Sequence, residues 1–158
     1  MPATYEPITT QTLTGTTTSL SISSIPSTYT DLVLVVAGTV NITTGFEIRF
    51  NGDTATNYSR TRLQGDGSSV ASVRSTNINY IGAGNIGTDQ SVSIFHIMNY
   101  SNTTTYKTII ARGNNAGGFV NANVGLWRST SAITSITLGG GTFQIGTTFT
   151  LYGIKASA

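Results

Sequence analysis

The sequence predicts an all-β protein: a jelly-roll-like antiparallel β-sandwich of about 8–10 strands with an extended N-terminal arm. Three observations carry this. Short runs rich in Val, Ile, Phe and Thr recur about every ten residues, separated by Gly, Asn, Ser and Pro clusters. No stretch shows the 3.6-residue period of an amphipathic helix. The chain holds 7 Tyr and 6 Phe among 158 residues, together with many Ile and Val, which separates it from polar disordered sequences. At this length one domain is expected, with residues 1–14 as an arm and residues 15–158 as the sandwich.

In chain order, residues 1–14 contain Pro2 and Pro7; proline withdraws a ladder donor, so this stretch predicts an extended arm or an edge strand. Residues 16–24 set Leu20 and Ile22 on one face of a strand, and Pro26 ends it. Residues 31–40, DLVLVVAGTV, form a continuous apolar run of strand length and predict a central strand. Residues 45–51 alternate cleanly, with Phe46, Ile48 and Phe50 inward and Glu47 and Arg49 outward; Asn51-Gly52-Asp53 supplies a tight turn. Residues 53–72 fit either a long loop or short strands around Gly65-Asp66-Gly67. Residues 73–81 predict a strand of mixed polarity, and residues 82–90 a Gly-rich connection.

Residues 91–112 form the centre of the pattern, two strands joined at Ser101-Asn102-Thr103-Thr104. Val92, Ile94, His96, Met98 and Tyr100 share one face, and Phe95 and Ile97 the other. Both faces are apolar, so a two-layer sandwich covers only one; a loop or another subunit is expected over the second. A turn follows at residues 114–118. Residues 119–127 place Val120, Ala122, Val124 and Leu126 together, which predicts these as the core side; Phe119 and Trp127 then point outward beside Asn121 and Asn123. A phase change between Ile133 and Ile136 predicts a bulge, Gly139-Gly140-Gly141 a flexible corner, and residues 147–154 a closing strand.

Composition narrows the function. Charged residues make up 9% of the chain against about 25% in an average domain, and the net charge is only +2, too sparse a stripe for nucleic-acid binding. With no cysteine and one histidine, disulfides, thiolate nucleophiles and the usual transition-metal sets are excluded. Asp53 and Asp66 lie in loops and would converge on calcium only if folding joins them; as lone loop aspartates they read first as turn formers. His96 sits mid-strand among apolar neighbours and reads as a histidine bonded to a neighbouring strand or subunit rather than a catalytic base. The six carboxylates are scattered and no Gly-x-Ser-x-Gly elbow occurs, so no catalytic residue and no cofactor are expected. Gly82, Gly84 and Gly87 match Gly-x-Gly-x-x-Gly, but no helix follows, so this predicts a loop. The N-terminus lacks the features of a signal peptide, and no run approaches the ~18 apolar residues of a membrane helix.

The remaining candidates are aromatic. An outward Trp127, with Phe119 and Arg128, fits a subunit contact or a sugar platform, assisted by Tyr58, Tyr80 or Tyr106; cover by the protein's own loops is the plainer reading.

The phrases IPSTYTDLVLV (25–35), RFNGDTATNYSRT (49–61), HIMNYSNTTTYKT (96–108), GLWRSTSAITSITL (125–138) and FTLYGI (149–154) complete the pattern. Together they resemble β-rich virion structural proteins of tailed bacteriophages. The resemblance implies a non-enzymatic capsid decoration or cement protein, made in the host cytoplasm and located on the virion surface. Its implied partners are the major capsid protein or other virion proteins and further copies of itself, as a trimer or another small oligomer. The alternative it implies is a tail or fibre module that binds host glycan.

Overall fold

The computed structural model describes residues 4–115 and 117–155. Residues 1–3 of the expected arm and residue 116 of the expected turn lie outside the described residues. Among the described residues twelve strands form: β1 (Tyr5–Thr12), β2 (Leu20–Ile22), β3 (Asp31–Gly38), β4 (Thr44–Phe50), β5 (Tyr58–Gly65), β6 (Val70–Ile78), β7 (Ile81–Ile86), β8 (Ser91–Met98), β9 (Lys107–Asn115), β10 (Phe119–Trp127), β11 (Ile136–Gly139) and β12 (Thr148–Ile154).

They make two antiparallel sheets. The larger runs β1-β12-β3-β8-β9-β10-β5-β6 and the smaller β2-β11-β4-β7. The β-sandwich expected from the alternation is therefore present, with its layers unequal in width; the pairing order does not itself specify a jelly roll. The arm is an edge strand, β1, paired to β12. Of residues 53–72, 53–57 are a loop and 58–72 belong to the β5–β6 hairpin, whose tip is closed by Asp66: its carboxylate accepts the N–H groups of Ser68 (2.8 Å) and Ser69 (2.6 Å).

The core lies between the sheets. Phe46, Ile48 and Phe50 of β4 face Leu32 and Leu34 of β3, Phe95 and Ile97 of β8, and Phe149 and Leu151 of β12, all buried. Edge-to-face rings tie the layers, Phe46 to Phe95 at 5.4 Å and Phe143 to Phe149 at 5.2 Å between centroids. Glu47 and Arg49 face outward as predicted and pair with each other at 3.4 Å. The turn after β4 has positive φ at both Asn51 (52°) and Gly52 (66°), the form that asparagine and glycine accept, and it hands the chain from the small sheet to the large.

Two expectations are overturned by close packing. Residues 82–86 of the expected Gly-rich connection are not a loop but, with Ile81, form β7, buried along its whole length as the edge of the small sheet nearest β9 and β10. Glycine makes this approach feasible: a Cβ on Gly84, at φ +65°, would stand 2.7 Å from the Ser93 hydroxyl oxygen. The second correction concerns β10, whose faces are the reverse of those predicted. Asn121, Asn123, Gly125 and Trp127 point into the sandwich, and Val120, Ala122, Val124 and Leu126 point away from it. At Gly125 a Cβ would meet Ile81 Cγ2 at 2.5 Å and Ile109 Cγ2 at 2.6 Å. Gly125→Ala is accordingly expected to cost about 1–3 kcal/mol by overpacking, read as a lower urea midpoint at unchanged slope.

Candidate functional site

The inversion of β10 leaves an apolar sheet face that is exposed toward β10 and β6, while Val33, at its β3 end, is buried. Cross-strand registers arrange it in rows. Val33, His96, Ile110 and Val124 stand side by side across β3, β8, β9 and β10. The next row holds Val35, Ile94, Arg112, Ala122 and, on β5, Leu63. A third runs from Val92 through Asn114 to Val120 and, beyond Gly65, to Val70 on β6. Exposure rises toward the β6 end: Ile110 is 40% exposed, Val124 53%, Val120 62% and Val70 90%. Monomers rarely leave such side chains contiguous.

The face is concave near β10. A groove of about 660 Å³ lies between the β5–β6 hairpin and Val120, and a second of about 340 Å³ lies over Val92, Ile94 and Arg112; both touch Val120. Arg112 is the one charge inside the rows, with Arg74 at their margin opposite Thr61. On the same face of β3 as Val33 and Val35, the Asp31 carboxylate accepts the Asn99 N–H at 2.6 Å. The opposite surface of the molecule differs in kind. There the small sheet shows Ser21 and Thr137, whose hydroxyls lie 3.1 Å apart, beside the Glu47–Arg49 pair. One outer face is hydroxylated and ion-paired; the other is aliphatic.

The predicted site residues do not gather. Trp127 is buried, stacked on Tyr58 at 6.2 Å and tilted against Phe50 at 5.6 Å, and its Nε1–H donates to Asp53 Oδ2 at 2.7 Å. Tyr58, also buried, accepts from the Phe50 N–H (3.2 Å) and donates to the Asp53 carbonyl (3.1 Å). Both are core residues, so neither offers a ring to a sugar. Arg128 is half-buried and donates to the carbonyls of Thr56 (3.1 Å) and Tyr58 (3.4 Å) and to the Asn77 side chain (3.2 Å), a loop clasp. Phe119 is half-buried at the start of β10, on its inward face. Tyr80 is half-buried beneath the Arg49 guanidinium at 5.3 Å from the ring centre. Tyr106 alone among these is exposed, at 55%.

His96 lies half-buried on the apolar face, with Val33 and Ile110 directly opposite and Ile94 and Met98 along its own strand. Asp53 and Asp66 close opposite ends of β5, about 26 Å of extended chain, and each is engaged in its own turn. Among the described residues no three His, Cys, Asp or Glu side chains come together as a metal site.

One buried cation stands out beside Trp127. Lys107 is buried, and its Nζ donates to the carbonyls of Thr105 (2.7 Å) and Thr130 (3.2 Å). Burial pushes its ammonium below the ordinary lysine value. It pins the loops that flank β9 and β10 and is turned away from the apolar face.

The residues that make the face, Val120, Val124, Ile110 and Leu63, were legible as apolar positions but not as exposed ones. The signal that would have found them is Gly125, which shares its face with Asn121, Asn123 and Trp127 and marks that side for close approach. Compared against protein-family models, curated proteins and solved structures, the chain finds no match.

Proposed function

We propose that this chain is a non-enzymatic structural component of a bacteriophage particle. It decorates or cements the capsid by seating the outer face of the eight-stranded sheet on coat protein. The observation that carries the docking mode is the aliphatic face itself, concave at Val120 and sparsely charged, with Arg112 inside the rows and Arg74 and Asp31 at its margins. A matching surface presents apolar side chains with carboxylates placed to meet Arg112 and Arg74, the cations within and beside the apolar rows. The particle itself is supplied by the resemblance of the sequence phrases to virion proteins. The glycan-binding alternative loses its stacking platform, since Trp127 and Tyr58 lie inside the core, and keeps only Tyr106 as an exposed ring among its candidates.

The test uses Val120→Lys with Val124→Lys. Both side chains are more than half exposed, so unfolding stability should stay within about 0.5 kcal/mol of the parent. Binding to capsids stripped of this protein, measured by co-sedimentation, should weaken at least about tenfold through desolvated like charge. Undiminished capsid binding by the folded double variant would overturn the proposal, as would density for this chain at the tail alone.

A further inference from the structure

The two edges of the eight-stranded sheet are finished in different ways. At the β1 edge Pro7 has no N–H to offer, and the register slips between Pro7 and Thr9. Glu6 on that strand is held by Lys155 at 2.9 Å and by the Tyr29 hydroxyl at 3.3 Å. Proline, a bulge and a fixed charge are the devices by which proteins blunt an edge.

The β6 edge has no proline and, among the described residues, no ion-paired charge; its one register slip falls at its far end, at Asn77 between Thr76 and Ile78. Its nine residues, VASVRSTNI, include no proline, no lysine and no carboxylate, and Arg74 is the only charge. Its ladder to β5 is regular from Ser59↔Thr76 to Gly65↔Val70. Among the described residues no strand pairs with its other side. Both of its faces are wet: Val70, on the outer face, is 90% exposed, and Val73, on the inner, 38%. An outermost strand that is wet on both faces buries little and leaves a row of backbone groups open to a further strand.

We infer that β6 is a homodimerisation strand, pairing antiparallel with β6 of a second copy about a twofold axis. A second copy is favoured because of what the assembly leaves behind. Joined at β6, two sheets become one that begins and ends in β1, so every remaining edge is a blunted one. A head-to-tail contact of β6 with β1 would meet Pro7 and the bulge, and it would leave a bare β6 to propagate an open fibre. Arg74 restricts the axis. Centred on Arg74, the pairing would set two guanidinium groups opposite each other. Centred on Ser72 or Val73, it sets Arg74 opposite Val70 or Ser72 of the partner subunit, and like residues at the axis are a hydroxyl or an aliphatic pair. The twofold pair takes the place of the trimer expected from the sequence, and it holds whatever surface the apolar face meets.

The experiment is made on the purified full chain without capsids, so its outcome is separate from that of capsid docking. Sedimentation should show a particle of twice the chain mass. Ser72→Lys, at an exposed position, should keep the parent circular dichroism and melting temperature while the dimer dissociates at least about tenfold more readily. Since the chain has no cysteine, Ser72→Cys and Val73→Cys each introduce a single thiol, and one of the two should form a disulfide-linked dimer under mild oxidation. A monomer at all concentrations, a trimer, or a dimer that survives Ser72→Lys would each overturn the inference, as would the absence of a cross-link from both cysteine variants.

Discussion

Trp127→Ala is expected to lower unfolding stability by about 3–5 kcal/mol, the range for deleting a large buried aromatic side chain. The ring is enclosed by Tyr58 and Phe50, so truncation leaves a cavity between the sheets at the point where the 51–57 loop crosses. It also strips the Asp53 carboxylate of its 2.7 Å indole donor. Trp127→Phe separates the two losses, keeping most of the ring while removing the N–H, for a cost of about 1–2 kcal/mol. Burial works to raise the Asp53 pKa, but the donors from Trp127, Asn57 and Ala55 outweigh it and hold the carboxyl below 3.8. A depressed carboxyl contributes stability that is present above the unfolded value and is lost as pH falls through the folded one. Trp127→Phe should therefore flatten the acid limb below pH 4 as well as shift the midpoint. Urea midpoints at neutral and acid pH check both; a Trp127→Ala variant within 1 kcal/mol of the parent would contradict this placement.

Trp127 also shows where a sequence stops being readable. Alternation in FVNANVGLW distinguishes two faces but does not say which faces the core, because that depends on what the opposing layer supplies. The valines looked like the inward set. The opposing layer at this point is β7, which brings Ile81 so close that only glycine fits opposite it at 125. Asn121 and Asn123 then partner each other at 2.8 Å instead of meeting water. In β4 no such ambiguity arose: Glu47 and Arg49 can lie only outward, so Phe46, Ile48 and Phe50 were fixed as core. In β8 the sequence announced the site indirectly, since Phe95 and Ile97 filled one side and Val92, Ile94 and Met98 still needed cover. The Gly82–Gly87 stretch misled in the opposite direction, because glycine marks a loop and a strand under close contact by the same letter.

Between pH 10 and pH 12 the protein is expected to lose about 2–3 kcal/mol of stability through Tyr58 alone. Burial pushes its hydroxyl up from 10.0 to about 12, with the neighbouring Asp53 charge adding to the effect while the Phe50 N–H opposes it. The folded state keeps the proton where the unfolded chain has already released it. Stability from this source is whole below pH 10 and disappears as pH climbs through the folded value near 12. Lys107 acts with the opposite sign. Its folded pKa is pushed below 10.5, so the folded state sheds a proton before the unfolded chain does, and stability rises with pH until that value is passed. The lysine therefore masks the first part of the tyrosine's decline. Tyr58→Phe should flatten the profile above pH 10, at a cost near neutrality of about 1–3 kcal/mol from the unpaired Phe50 N–H and Asp53 carbonyl. Lys107→Met should expose the decline at a lower pH by removing the compensating rise. Denaturant melts across this window resolve the two, and an alkaline limb unchanged in Tyr58→Phe would rule out the buried hydroxyl as its source.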